Sequence, residues 1–224
     1  MIRKILLIPW FGPLPDWMPH WEANVEKALL EHGYAVAFEH DLPDFKKRVK
    51  RKLGVDCPIV PGEGKIHDYR AALGMLYAEE IAGYDFWGHT DLDVVYGRVH
   101  RWVTDEFLDG LDIHSNHVDY IAGPWSLYRN RPEVNVLFTE HPDWREILEQ
   151  PDVTGWVETG FTEVVDAAHR AGAIARRYTM WQTANLDGFD TLKLMEDGRL
   201  LEGRREVMVA HFRRTKIYPV GCRR

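Results

Sequence analysis

Cysteine is nearly absent from this chain of 224 residues, which has only Cys57 and Cys222. Two thiols so far apart make neither a disulfide framework nor a zinc site. Long apolar runs are also missing. No stretch approaches the ~20 residues that a membrane-spanning helix requires. Ile5 to Ile8 is too short an apolar core for a signal peptide and stops at Pro9, so a cytoplasmic location is expected. The net charge of −7 lacks the basic excess of a general nucleic-acid binder, and no nucleic-acid partner is expected. Internal repeats, low-complexity tracts and a domain-length linker are absent too.

What remains has the composition of a globular protein, with 45% hydrophobic and 28% charged residues. The length fits one domain with a substantial core. Nine tryptophans are many. Their flat faces suit sugars and bases, and equally suit a core.

The most informative stretch is Gly83-Tyr-Asp-Phe-Trp-Gly-His-Thr-Asp-Leu-Asp-Val-Val-Tyr-Gly97. Tyr84, Phe86 and Trp87 are strand formers, and the pattern predicts a buried strand ending near Thr90. Asp91 and Asp93 follow it. In extended backbone, residues i and i+2 point the same way, so both acids face one side and Leu92 the other. Ligands bind at that end of strands in open α/β sheets. Paired carboxylates repel unless a cation sits between them, and Mn²⁺ or Mg²⁺ with substrate phosphates is the natural partner. The bland alternative is a pair of turn acids or helix caps.

Around this stretch the chain reads as alternating α and β in its first half and mixed in its second. Ile2 to Ile8 is a strand, ending in the aromatic loop Pro9-Trp10-Phe11-Gly12-Pro13, which either holds a ligand or folds its rings inward. Pro19 to His32 is a helix with Trp21, Val25, Ala28 and Leu29 on one stripe, closed by Gly33. Tyr34 to Phe38 completes a right-handed βαβ unit. Leu42-Pro43-Asp44 opens a second helix, with Asp44 as its expected cap and Phe45, Val49 and Leu53 as its apolar stripe. Its other face, Lys46 to Lys52, is basic. That face either docks peripherally on anionic lipid or is simply solvated.

Lys65 to Arg70 is followed by a helical stretch to Ala82, with Asp68 as its expected cap; Lys65, Asp68 and Arg70 either reach the ligand from the side or are only a cap and its charged neighbours. Val99 to Leu108 is helical. Tyr120 to Gly123 is a short strand leading into Pro124-Trp-Ser-Leu-Tyr-Arg-Asn130. Helices follow at Pro132 to Phe138, Trp144 to Gln150 and Phe161 to Gly172, then an extended segment at Ile174 to Tyr178. Asp197-Gly198 marks a hairpin between Leu192–Glu196 and Arg199–Glu202. A last strand, Glu206 to Phe212, ends in His211 and the cations Arg213, Arg214 and Lys216.

The run Tyr84-Asp-Phe-Trp-Gly-His-x-Asp-Leu-Asp-x-x-x-Gly97 resembles the signature of an uncharacterised bacterial family of small glycosyltransferase-like proteins. Lys65, Asp68 and Arg70 match its Lys-x-x-Asp-x-Arg/Lys stretch. Leu127 to Asn130, Phe11-Gly12 and His211-Phe212 match further pieces. The resemblance implies a GT-A-like, Rossmann-type fold: a mostly parallel sheet flanked by helices, with a mixed α+β C-terminal half. It implies a single domain over 1–224, with a nucleotide-binding half at 1–110 and an acceptor- or sugar-binding half at 111–224. The implied reaction moves a sugar from a nucleoside diphosphate to a glycan or glycolipid acceptor.

By the same similarity Asp91, Asp93 and His211 would ligate the metal. Trp10, Phe11, Gly12, Lys65, Asp68, Arg70, Asp91 and Lys216 would line the donor. Gly123, Trp125, Tyr128 and Arg129 would line the sugar or acceptor. Glu158 stands where the family tends to carry an acidic pair, as a candidate catalytic group. A metal bridging two phosphates, with a cation nearby, suits the charge that grows on a departing diphosphate.

Two other readings stay open. Asp91-Leu-Asp93-Val-Val also fits the nucleophile motif of haloacid-dehalogenase-type phosphatases, with Asp91 attacking phosphorus. That motif normally follows the first strand, whereas here a βαβ unit precedes it. A non-catalytic nucleotide- or glycan-binding domain on the same fold is the third reading.

Overall fold

A computed structural model describes residues 2–184 and 192–212 of the chain. Six strands form the central sheet: β1 (Lys4–Pro9), β2 (Tyr34–Glu39), β3 (Phe86–Thr90), β5 (Ile113–Ser115), β6 (Trp125–Arg129) and β7 (Arg176–Tyr178), ordered β2-β1-β3-β6-β5-β7. Strand β1 pairs in parallel with β2 and β3, and β5 pairs in parallel with β7; β6 runs against both of its neighbours. Five of the six strands therefore point the same way, and the carboxyl end of β3 lies centrally in the sheet.

Alternation along the strands builds two cores. Ile5 and Leu7 of β1, Trp87 of β3 and Tyr128 of β6 join one apolar cluster, while Leu6, Ile8, Phe86, Trp125 and Leu127 join the other. Period-two side chains of a central strand must be apolar on both faces, which is why these runs contain so few charges. Helix Met18–Ala28 covers the second cluster with Trp21, Val25 and Ala28. Helix Leu42–Leu53 covers the first with Phe45, Val49 and Leu53. The cap of that second helix is Asp41, whose carboxylate accepts the Asp44 amide, rather than Asp44 itself. Gly33 and Gly54 close these two helical segments as expected.

On its basic face Arg48 pairs with Glu80, Lys50 with Asp56 and Lys52 with Glu79. Half of the cations between Lys46 and Lys52 thus already have acidic partners. No helix among the described residues is long and apolar enough to cross a membrane.

Two small sheets pack on the second core. Strands β9 (Leu192–Leu194), β10 (Leu200–Glu202) and β11 (Arg205–Val207) form one. The expected hairpin joins β9 and β10, with Gly198 at φ 82° in the left-handed region that favours glycine. The other joins β4 (Val94–Tyr96), β12 (Val209–His211) and β8 (Gln182–Ala184). The anticipated last strand is thus split at Met208 between two sheets.

Other expectations change in detail. Val99 to Leu108 breaks into Val99–Trp102 and Asp105–Leu108, because Thr104 turns outward to cap the second piece through the Phe107 amide. Tyr120 to Gly123 is not a strand; the strand is the next segment, β6. Gly64–Ala72 is a 3-10 helix, followed by one short α-turn at Leu73–Leu76.

Candidate metal and substrate site

The site begins with the β3 terminus. Thr90 is fixed through its hydroxyl, which donates to the Pro124 carbonyl at 2.8 Å and lies 2.9 Å from the Tyr96 hydroxyl. Asn24 clamps the other side of the turn, donating to the Tyr96 carbonyl and accepting the Tyr96 amide. Between these anchors Leu92 turns into the second core, and Asp91 and Asp93 turn away from it. This is the alternation expected of an extended Asp-x-Asp segment.

Strand β12 supplies the third member. It lies antiparallel to β4 with His211 opposite Val94, and the Phe212 amide donates to the Asp93 carbonyl at 3.0 Å. His211 Nε2 is thereby 3.2 Å from Asp93 Oδ1 and 3.7 Å from Asp91 Oδ2. One ligand atom from each of Asp91, Asp93 and His211 lies within 4.8 Å of the others. Adjacent ligands of an octahedral ion bonded at about 2.1 Å stand about 3 Å apart, so this spacing fits one divalent cation.

Arg70 reaches the cluster from the 3-10 helix and pairs with Asp91 Oδ1. Burial alone would raise the Asp91 pKa. Arg70, followed by His67 and His211, outweighs that effect and holds the carboxyl below its ordinary value. Gly123 makes the pairing sterically feasible: a Cβ there would stand 2.3 Å from Arg70 Nη1 and 3.3 Å from Asp91 Oδ2. His89, one turn of pleat inside, contacts the Gly123 carbonyl and the Tyr128 hydroxyl. Burial, then Arg70, lowers its pKa to about 3, so it is a neutral spacer beneath the site.

The other expected residues divide. Lys65 and Asp68 are not at the cluster. They form a buried pair at 2.9 Å, and Lys65 also donates to the carbonyls of Ile147 and Asp152. Asp68 accepts the amides of Thr154 and Gly155, so the pair pins that loop and has no reach toward a donor. Trp125 and Tyr128 have no exposed surface and belong to the sheet core rather than to a sugar subsite. Arg129 lies over the Phe86 ring and donates to the carbonyls of Leu108 and Leu111.

Phe11 is buried against Phe45, with ring centroids 4.9 Å apart, so this ring folds inward. Trp10 is half-buried with its indole on the Pro13 carbonyl, and Gly12 backs onto the Gly62 backbone. Their loop follows β1, which neighbours β3. Glu158 is exposed near His117 and is not among the clustered ligands. Lys216, like Arg213 and Arg214, lies outside the described residues.

A family model described as "Family of unknown function (DUF6625)" matches residues 35–217. No curated protein matches the sequence. Among solved structures, the chain is similar to a glycosyltransferase involved in the glycosylation of the major capsid of PBCV-1, with a TM-score of 0.56 and 13% identity over 95% of this chain and 94% of that one. Mouse xyloside xylosyltransferase 1 in its apo form aligns at TM-score 0.46 and 11% identity, over 97% and 99% of the two chains. Galactosyltransferase LgtC with donor and acceptor sugar analogs aligns at TM-score 0.45 and 12% identity, over 94% and 87%. The first likeness identifies the architecture as GT-A-like; the other two are too distant to add to it.

Proposed function

The chain belongs to that family of unknown function, and from the site it assembles we propose that it is a divalent-metal-dependent glycosyltransferase using a nucleoside-diphosphate sugar. The observation that carries this reading is the convergence of Asp91, Asp93 and His211 at the carboxyl end of β3, with Arg70 alongside. The GT-A-like fold supports it.

The donor set decides which ion fits best. Two carboxylates suit Mg²⁺ and Mn²⁺, while an imidazole favours a transition metal, so Mn²⁺ is the better match to both. When bound, the ion would neutralise the diphosphate as it departs. The chain's own residues do the rest. Asp93, in the turn just before β4, and His211, at the end of β12, would hold the ion. Arg70 holds Asp91 ionised and keeps a second cation beside the leaving phosphates. Thr90, Asn24 and Gly123 lock the turn so that this geometry exists before substrate arrives. The transferred sugar carbon exchanges its bond to phosphate oxygen for a bond to an acceptor hydroxyl, whose proton is released. The acceptor is a glycan or glycolipid in this reading. An aspartyl-phosphate mechanism is disfavoured because Asp91 is already committed to Arg70 and faces His211.

The test is thermal denaturation with UDP, GDP and their hexose esters, with and without Mn²⁺. Ligand binding raises the melting temperature by mass action. A metal-dependent shift with at least one nucleoside diphosphate is expected. Complete indifference to every nucleotide in the presence of Mn²⁺ would overturn the assignment.

A further inference from the structure

The 3-10 helix Gly64–Ala72 has three residues per turn, so side chains at i and i+3 eclipse one another. That period sorts the segment into three ridges. Ile66, Tyr69 and Ala72 enter the first core. Lys65 and Asp68 form the buried pair described above. The third ridge is Gly64, His67 and Arg70, and it ends at Asp91.

Contacts confirm the eclipse. A Cβ on Gly64 would lie 3.3 Å from His67 Cδ2, and Val153 closes the same corner at 3.5 Å. His67 is exposed, whereas Lys65 and Asp68 on the adjacent ridge are buried. Arg70, one turn on along the same ridge, pairs with Asp91, and the charges that act on the His67 ring include Asp91 and Asp93, so the exposed ring stands near the metal cluster. Arg70, the largest cause, lowers its pKa to about 4 and keeps it neutral. A neutral imidazole offers one donor and one acceptor; a sugar hydroxyl can use either, whereas a phosphate oxygen uses only the donor.

We propose that His67 is a specificity-determining residue that hydrogen-bonds a hydroxyl of the sugar being transferred, while Arg70 and the metal ligands hold the diphosphate. The assignment rests on the glycosyltransferase reading above. His67 is exposed, so removing its ring leaves the protein folded.

The experiment compares wild type, His67→Ala and His67→Gln by titration calorimetry in Mn²⁺. The probes are UDP, GDP and their glucose, galactose and mannose esters. Wild type binds at least one ester more tightly than its bare nucleoside diphosphate. In His67→Ala the bare nucleotide keeps its affinity within about twofold, and the ester loses about tenfold, the size of one hydrogen bond. His67→Gln, which retains a donor and an acceptor, recovers part of that loss. Unchanged ester affinity in His67→Ala overturns the proposal, as does an equal loss for ester and bare nucleotide. A wild type that binds an ester in Mn²⁺ and a His67→Ala that binds it equally well overturn the His67 assignment and leave the glycosyltransferase reading standing. A wild type that binds no nucleotide in Mn²⁺ removes both.

Discussion

Lys65 and Arg70 arise from one short helix and end in opposite circumstances. All three Lys65 protons are used, on Asp68, the Ile147 carbonyl and the Asp152 carbonyl. Asp68 in turn is filled by Lys65 and two backbone amides. That pair is closed, and its work is to hold the loop at 152–155 against the helix. Arg70 faces a carboxylate that sits beside a second carboxylate and an imidazole. Among the described residues, one guanidinium stands against two carboxylates and an imidazole whose ligand atoms lie within 4.8 Å of one another. A saturated buried pair marks structure, and a convergent cluster of ligand atoms marks a place for something else.

The largest expected effect tests the closed side. Asp68→Asn strands Lys65 in the interior and should cost about 3–5 kcal/mol of unfolding free energy, the usual penalty for breaking a buried pair. Urea denaturation measures it, and an unchanged midpoint would show that the pair is dispensable.

On the open side, Asp93→Asn should do the reverse. The metal-free melting temperature should stay where it is or rise, because repulsion between carboxylates is relieved. Transfer activity in Mn²⁺ should fall by ~10³-fold, corresponding to several kcal/mol of lost transition-state stabilisation. Activity that survives both this substitution and a chelator would remove the metal from the mechanism.

Gly123→Ala sharpens the comparison more gently. The new methyl would displace Arg70 from Asp91. A loss of roughly tenfold in activity, equal to ~1.4 kcal/mol, with little change in the urea midpoint is expected. If the urea midpoint drops and activity per folded molecule does not, Arg70 is structural like Lys65.

Histidines provide a smaller contrast. His114 is fully buried, and burial, followed by Arg177, lowers its pKa to about 3. Its folded value lies below the unfolded value of ~6.5. Its contribution to stability is therefore intact above pH ~6.5 and is lost as pH falls from there toward 3, at ~1.4 kcal/mol per pH unit. His114→Gln should reduce the acid dependence of unfolding by about one proton between pH 6 and 4. Equal slopes in the two proteins would mean that this histidine does not report on acid stability.

Much of the framework was legible because its elements are simple. The βαβ unit, the stripe Phe45-Val49-Leu53 and the Asp197-Gly198 hairpin follow from periods of 2 and 3.6 and from turn chemistry. Strand β5 escaped because three residues containing His114 and Ser115 carry no apolar alternation. Strand β6 escaped because Pro124 and Asn130 bracket it like a loop. The carboxylates of the site could be read from their spacing, and His211 from the way the last apolar run ends in it. Lys65 and Asp68 were misplaced because only the resemblance groups them with Arg70. At i and i+3 they share one ridge of the 3-10 helix, and Arg70 shares a different ridge with His67.

The pairing of β12 with β4 also orders events in time. Asp91 and Asp93 are synthesised long before His211, and the central strands β1, β2 and β3 need nothing from β12 to pair. The third candidate ligand, His211, comes only with β12. Under the proposed function, a clipped chain lacking that strand would therefore present Asp91 and Asp93 alone and bind a metal ion poorly.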